Sequence, residues 1–334
     1  MNNPARTEAA PPRPAFRPTQ EQIVLGVTLL LAAGFALTLP GFATLGNLLT
    51  LTRSVAILGM LGIAMSVVVI GRGLDLSLVA TMAVTSALTL QLLQHHWPLA
   101  AALAAALALA LAIGIVNGGI IAFVEIPALF TTLATGFLIF GLGRVFLLDS
   151  VITYLPENAT AFAWIGQARF AGVPVPVLAF SLAAVLVHGL LSRTSIGRFI
   201  YAHGDNAEAA RLTGIAVRPL TMLEYALCAV IGLAAGLVMA ASTASMNMQV
   251  INSTLIFDVI LVVVLGGVSL VGGRGSMLSV LAGTALIGTL LNGMTILDLD
   301  NNVQNIVKGA VLLAAIILDN RLHPRDEETA RQGD

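Results

Sequence analysis

The chain has 334 residues, of which 57 % are hydrophobic and 10 % are charged, and its formal net charge is -1. A soluble domain carries roughly a quarter charged residues, so the composition excludes an ordinary soluble protein. No basic patch with interleaved aromatic residues occurs, and we expect no nucleic-acid partner. The single cysteine, Cys228, excludes a disulfide framework and a cysteine-based metal site.

Long apolar runs predict an all-α integral membrane protein. A helix of about 20 apolar residues crosses a bilayer, and on that measure the sequence contains about ten spans. The predicted spans are 22–39, 45–70, 74–93, 98–122, 127–148, 172–192, 219–241, 253–271, 276–297 and 301–319. They form one transmembrane domain, 22–320. The Pro- and Ala-rich segment 1–21 is predicted to be a disordered cytoplasmic tail, and 321–334 a second cytoplasmic tail.

The distribution of basic residues predicts the orientation of the spans. With the N-terminus inside, twelve of the 16 basic residues fall in inner loops and tails. The other four, Arg53, Arg144, Arg169 and Lys308, fall outside or within spans. This positive-inside bias places both termini in the cytoplasm, together with segment 193–219.

Segment 193–219 is the one long polar interruption in the apolar part of the chain. Residues 205–213 predict a short helix, with Asp205 or Asn206 as its N-cap. Gly214 is placed to end that helix. A capped, exposed helix between two spans suggests a surface for a soluble partner, and an ordinary cytoplasmic loop is the alternative.

A glycine-containing motif, GRGLDLS at residues 71–77, separates spans two and three. Gly71 and Gly73 allow a sharp turn of the backbone. Asp75, two residues before Ser77, can cap the start of span three. We interpret the motif as a tight cytoplasmic turn, and a helix break that lines a pathway is the alternative.

Two Asn-Gly pairs suggest an internal repeat. Asn117 and Gly118 close span four, whereas Asn292 and Gly293 close span nine. The predicted topology puts the first pair on the cytoplasmic side and the second outside. An inverted repeat of spans two to five and seven to ten has this property. Asn-Gly is also a common turn dipeptide, so a chance match is the alternative.

Catalytic constellations are scarce in this sequence. The glycine cluster at 272–275 lacks the Gly-Lys-Ser/Thr ending of a phosphate loop, and Lys308 is the only lysine. The five histidines do not have metal-ligand spacing. Three ionisable residues within the spans, Glu224, Asp258 and Lys308, are candidates for a functional role. Their side chains either form a relay for protons or ions across the membrane or reach the membrane surface by extending along the helix. Asp258 and Lys308 are predicted at similar depth and would pair if their spans are neighbours.

Five stretches resemble one family. They are GRGLDLS (71–77), NGGIIAFVEIPALFTTLATGFLIFGLGR (117–144), GRFIYAHGDNAEAARLTGIAV (197–217), VVVLGGVSLVGGRGS (262–276) and NIVKGAVLLAAIILDNR (305–321). Together they resemble the permeases of ribose-type sugar ABC importers, within the branched-chain-type permease superfamily, over about residues 45–320. Residues 71–77 are similar to a Gly-Gly-Ile-Asp-Leu-Ser signature, but Arg72 stands where that signature has its first Gly. Val79 and Ala134 also depart from the family pattern.

The resemblance implies a pathway that is exposed alternately to the two sides of the membrane. Its implied partners are a cytoplasmic ATPase that holds ATP and Mg²⁺, a periplasmic sugar-binding protein, a second permease chain and membrane lipid. The chain itself is then expected to be a non-catalytic subunit in the bacterial inner membrane, with no cofactor or metal of its own. The second chain is an identical copy or a paralogue.

The resemblance also implies functional residues. ATPase coupling is expected at Asp205, Glu208, Ala209, Ala210, Arg211 and Gly214. The substrate pathway is expected to include Asn117, Thr131, Thr132, Thr135, Asn292 and Asn305, although threonines in helices can instead bind backbone carbonyls. The alternative function is an ion-coupled secondary transporter, which the ten spans and the suggested repeat also fit. Against it stand the lack of acids near mid-membrane and the predicted coupling helix.

Overall fold

The computed structural model describes residues 19–322, so most of the two predicted tails lies outside the described residues. The helices are α1 (Gln20–Thr38), α2 (Leu45–Ile70), α3 (Leu78–Gln94), α4 (Leu99–Gly119), α5 (Ala128–Leu142), α6 (Thr160–Gln167), α7 (Val175–Arg193), α8 (Ser195–Asp205), α9 (Ala207–Leu212), α10 (Val217–Thr243), α11 (Leu255–Gly266), α12 (Met277–Ile296) and α13 (Asn301–Leu322). The strands are β1 (Ile152–Tyr154), β2 (Arg169–Phe170), β3 (Val173–Pro174) and β4 (Ser245–Asn247). Wide helical turns, Ile120–Val124 and Gly143–Leu147, extend α4 and α5.

The predicted all-α membrane architecture is confirmed. Within residues 19–322, seven helices are long and apolar enough to cross a membrane: Gln20–Thr38, Leu45–Ile70, Leu99–Val124, Ala128–Leu147, Val175–Arg193, Val217–Thr243 and Met277–Ile296. Three shorter apolar helices, Leu78–Gln94, Leu255–Gly266 and Asn301–Ile317, occupy the other predicted spans. The count of ten spans therefore stays a prediction. The predicted span 253–271 was too long, because Gly267 adopts φ +106 and ends α11.

The helix bundle has two chemically different ends. The loops at 71–77, 120–127, 194–216 and 267–276 meet at one end, which carries six exposed or partly exposed arginines and is called the arginine-rich end below. The four strands lie at the opposite end, called the strand end. There β1 pairs with β4 in antiparallel register, with Ile152 opposite Asn247. The short helix α6 also lies in this region.

Helix α10 lies at the centre of the bundle and packs against α2, α3 and α4. Small residues let α4 approach it closely. A β-carbon at Gly114 would lie 2.6 Å from Cα of Ala226, and one at Gly118 would lie 2.5 Å from Cα of Met222. Such close backbone approach is typical of helices that associate within a membrane. Helix α3 is buried along nearly its whole length.

The outward faces of α1, α5 and α7 are apolar and exposed. Leu30 and Leu37 project from α1, Phe137 from α5, and Val185 and Leu186 from α7. An exposed apolar surface of this extent requires an apolar surrounding, and a bilayer provides it.

The helix pairs pack in a matching order in the two halves of the chain. Helices α3 and α4 pack together, as do α11 and α12, and the contact of α3 with α5 is matched by that of α11 with α13. Helix α10 contacts α3 and α4, while α2 contacts α11 and α12.

A buried ion pair joins α11 to α13. Lys308 Nζ lies 3.0 Å from Asp258 Oδ1 and donates a hydrogen bond to Thr254 Oγ1 at 2.6 Å. Both charged side chains are buried, so the alternative that they extend to the membrane surface is wrong for these two residues. The pairing expected from their similar depth is confirmed.

Breaking this pair should destabilise the protein. Asp258→Asn and Lys308→Met each leave one charge buried without its partner, at a cost of about 3–5 kcal/mol. We expect each variant to lower the folded yield and the thermal midpoint in detergent, and the double variant to recover part of the loss. The control is Glu125→Gln, which breaks the exposed pair with Arg218 and should cost about 0–1 kcal/mol. If the stability losses of the two single variants simply add in the double variant, the ion pair contributes no interaction energy and the prediction is contradicted.

Candidate functional site

The motif at residues 71–77 is a break between α2 and α3 that begins as an exposed turn at Arg72 and then enters the protein interior. Asp75 is only 2 % exposed, and Ser77 is fully buried. Ser77, not Asp75, is the N-cap residue of α3. Asp75 Oδ1 instead accepts hydrogen bonds from the Ser77 backbone N–H at 2.9 Å and from the Ser77 hydroxyl at 2.6 Å. The carboxylate thus folds the chain just before the helix begins.

Three helices hold this break in place through side-chain hydrogen bonds. Asn117 of α4 donates to Ser77 Oγ at 2.8 Å. The Thr132 hydroxyl of α5 accepts from a backbone N–H of the break at 3.0 Å. The Tyr225 hydroxyl of α10 donates to the carbonyl of Leu74 at 3.3 Å. Two residues predicted for the substrate pathway therefore use their polar groups within the protein: Asn117 binds the Ser77 side chain, and Thr132 binds backbone.

The other predicted pathway residues are spread over the bundle. Thr131 is buried, and Thr135 donates to the Thr132 carbonyl at 3.3 Å, as the alternative for helical threonines anticipated. Asn292 exchanges hydrogen bonds with Asn47 at 2.9 and 3.0 Å. Asn305 is exposed and lines a cleft of about 200 Å³ beside the Asp258–Lys308 pair. The structure thus does not bring the six residues together within one chain.

Glycines 71 and 73 pack closely against side chains of α10. A β-carbon at Gly71 would lie 2.5 Å from Cδ of Glu224, and one at Gly73 would lie 2.6 Å from the Tyr225 hydroxyl. Arg72, between them, adopts φ +68. This left-handed conformation costs a non-glycine residue about 1–2 kcal/mol.

Helix α8 was missed in the sequence, where only the shorter helix after it was predicted. Thr194 caps α8 by accepting from the Gly197 N–H at 3.1 Å. Its inward face carries Ile200 and His203, which are buried. The apolar residues Ile196, Phe199 and Ile200 recur at helical spacing, and this period was the available signal.

Glycines allow α8 to contact the backbone of two neighbouring segments directly. A β-carbon at Gly204 would overlap the carbonyl oxygen of Ile70 and lie 2.5 Å from the Gly273 nitrogen. The Gly273 N–H in turn donates to the Ile70 carbonyl at 2.8 Å. Tyr201 adds a hydrogen bond to the Gly275 carbonyl at 2.7 Å. Backbone contact on this scale leaves α8 little freedom to shift.

The short helix predicted at 205–213 is present as α9, Ala207–Leu212. Its N-cap is Asn206, whose side-chain oxygen accepts from the N–H groups of Glu208 and Ala209 at 3.1 and 2.9 Å. At its other end the Gly214 N–H donates to the Arg211 carbonyl at 3.0 Å. Gly214 adopts φ +88, as expected for a glycine that terminates a helix.

Helix α9 presents part of its surface to the outside. The predicted coupling residues Asp205, Glu208, Ala209, Arg211 and Gly214 are exposed. Ala210 is only 4 % exposed, so its predicted place on a docking surface is wrong; it faces the protein because α9 packs on α8 and α10. Leu212, which the sequence interpretation passed over, is 83 % exposed. The exposed face is therefore mixed polar and apolar.

A larger residue at position 204 should disturb the contact of α8 with the end of α2. Gly204→Ala places a methyl group against the Ile70 carbonyl, and the resulting backbone shift should cost about 1–3 kcal/mol. Thermal unfolding of the purified chain measures this loss. The matched control is Gly189→Ala in α7, where no atom lies within 4 Å of the added carbon. That change should be neutral or stabilising by up to about 1 kcal/mol. Equal midpoints for the two variants would contradict the close contact.

Comparison with known proteins identifies the family. The family described as the permease component of the branched-chain amino acid transport system matches residues 47–316. The ribose import permease protein of Escherichia coli strain K12 is 34 % identical over 302 residues, covering 90 % of this chain and 94 % of that protein. The ribose import permease protein of Bacillus subtilis strain 168 is 36 % identical over 282 residues, covering 84 % and 87 %. The L-arabinose transport system permease protein of Escherichia coli strain K12 is 37 % identical over 301 residues, covering 89 % of each chain.

No solved structure gives a significant match to the chain. The family match includes the break at 71–77, the helices that hold it and the α8–α9 region. Since it covers most of the chain, the protein belongs to this family of transport-system permeases.

Proposed function

We propose that this protein is the transmembrane permease subunit of an ABC importer for a sugar or a sugar-like polar solute. The observation that carries the proposal is a capped, exposed helix, α9, held on a rigid backbone junction at the arginine-rich end of a membrane-spanning bundle. Family membership and the sugar names of the relatives support it. The chain is not an enzyme in this proposal, and ATP with Mg²⁺ binds to a separate ATPase subunit.

The proposed orientation puts the arginine-rich end and both termini in the cytoplasm of a bacterial inner membrane. Cytoplasmic loops are enriched in arginine and lysine, and this end carries Arg72, Arg193, Arg198, Arg211, Arg218 and Arg274. The strand end would then face a periplasmic binding protein that delivers the sugar. The matching order of helix packing in the two halves supports ten spans arranged as an inverted repeat.

A second permease chain, identical or paralogous, completes the pathway in this proposal. One chain does not gather the predicted pathway residues into a single channel. Asn305 and the adjacent cleft open on the outer surface of the bundle, where a polar amide is poorly suited to face lipid. Asn117 and Thr132 contribute by positioning the break at 71–77. Lipid covers the remaining apolar faces.

An ion-coupled transporter is less well supported by the site. Such a mechanism needs an acid that binds and releases the coupling ion within the membrane. Of the two acids considered, Asp258 is neutralised by Lys308 at 3.0 Å, and Glu224 lies within about two turns of the start of α10. The family names and the seated α9 both favour an ATPase-driven importer.

Ala209→Arg tests the docking role of α9. The substitution puts a long charged side chain on the exposed face, so we expect co-purification of the ATPase and sugar uptake in membrane vesicles to fall together by at least about tenfold, equivalent to about 1.4 kcal/mol of docking energy. The variant should still fold, because no span is altered.

The matched control is Ala161→Arg, the same change at an exposed alanine of the short helix α6 at the strand end. It should leave co-purification of the ATPase intact. Wild-type co-purification and uptake by the Ala209→Arg protein would rule out α9 as the docking surface.

A further inference from the structure

A cavity of about 360 Å³ lies at the arginine-rich end. Its walls come from the break at 71–73, the turn between α4 and α5, the helices α8 and α9, and the start of α10. Its polar lining residues include Arg72, His203, Arg211, Arg218, Thr221 and Glu224. The cavity shares none of the predicted pathway residues.

Arg72 is the first sign that the cavity binds something. Its φ of +68 is a conformation that glycine adopts without strain and that other residues adopt only at a cost. The arginine therefore occupies a position that its own backbone disfavours, and its side chain lines the cavity. A residue kept in a strained conformation at a cavity wall points to a use for its side chain.

Two guanidinium groups at the cavity have no ionic partner among the described residues. Arg218 pairs with Glu125 at 3.2 Å and lies over the Phe123 ring at 5.2 Å. Arg72 and Arg211 form no ion pair within the described part of the chain. A guanidinium group binds two oxygens of a phosphate or carboxylate at once, and two such groups at one cavity favour an oxyanion.

The inner wall of the cavity carries polar groups that are not satisfied. His203 is 9 % exposed, its Nδ1 has no hydrogen-bond partner, and its Nε2 lies 3.4 Å from the Thr221 hydroxyl. Burial, and then the charge of Arg72, lower the pKa of His203, so the ring is neutral at pH 7. Glu224 is 1 % exposed and has one carboxyl oxygen without a partner. An acceptor of this kind suits a hydroxyl group and repels a bare anion.

We propose that this cavity binds the phosphate monoester of a small polyol, such as a sugar phosphate. The phosphate would lie between Arg72 and Arg211, and the polyol hydroxyls would meet Glu224, His203 and Thr221. The volume is large enough for one such molecule. In the proposed orientation the cavity opens to the cytoplasm, and only this point rests on the proposed function.

Ligand-dependent thermal unfolding of the full-length purified chain tests the site. A ligand that binds only the folded state raises the midpoint with its concentration. At constant ionic strength we expect ribose 5-phosphate to raise the midpoint, inorganic phosphate to raise it less, and free ribose to leave it unchanged. Arg72→Gly should weaken the apparent affinity for ribose 5-phosphate at least about tenfold. Without ligand its midpoint should equal or exceed that of the wild type, because the backbone strain is relieved.

Two further variants make the result specific. Arg274→Ala removes an exposed arginine of the same end that does not line the cavity, and it should bind as the wild type does. Arg211→Ala should weaken binding as Arg72→Gly does. The proposal is overturned if ribose 5-phosphate leaves the wild-type midpoint unchanged, if the Arg72→Gly and Arg274→Ala proteins bind it equally, or if free ribose binds as tightly as its phosphate. None of these outcomes depends on transport.

Discussion

The arrangement of the bundle depends on satisfying one stretch of irregular backbone between α2 and α3. The part of this stretch around Asp75 and Ser77 is buried, so its polar groups need partners from the protein instead of water. Three helices supply them, through Asn117, Thr132 and Tyr225. Apolar packing is not directional, whereas these bonds are. They fix how α4, α5 and α10 stand relative to the start of α3, and thus the geometry of the first half of the chain.

The same stretch connects the bundle core to the arginine-rich end. Ile70 ends α2, and its carbonyl accepts from the Gly273 N–H while Gly204 of α8 packs against it. No side chain stands between these three backbones. A displacement of α8 and α9 must therefore move the ends of α2 and of the loop before α12, since there is no flexible group to absorb it. Glycine at 204 and 273 is what makes a rigid mechanical link possible, because any larger residue would separate the elements.

The sequence was informative wherever a pattern depended on local chemistry. Apolar length located the helices, and the Asn206 and Gly214 caps located α9, since capping involves only neighbouring residues. Burial was not readable in the same way. Ala209 and Ala210 are identical in sequence terms, and only the packing of α9 on α8 and α10 separates the exposed one from the buried one. Likewise, the sequence predicted Asn117 as a pathway residue because it does not show that Ser77, 40 residues away in the chain, is its hydrogen-bond partner.

The two halves of the chain use different side-chain chemistry to attach a neighbouring helix to the start of a short buried one. In the first half, Thr132 of α5 binds the backbone that precedes α3. In the second, Lys308 of α13 binds Thr254, which precedes α11, and pairs with Asp258. A threonine can act only where two helices lie close together, whereas a lysine spans a wider gap but brings a charge that needs a counterion. Asp258 is therefore part of the anchor for α13, which packs mainly against α11. Helix placement is sufficient to explain the pair.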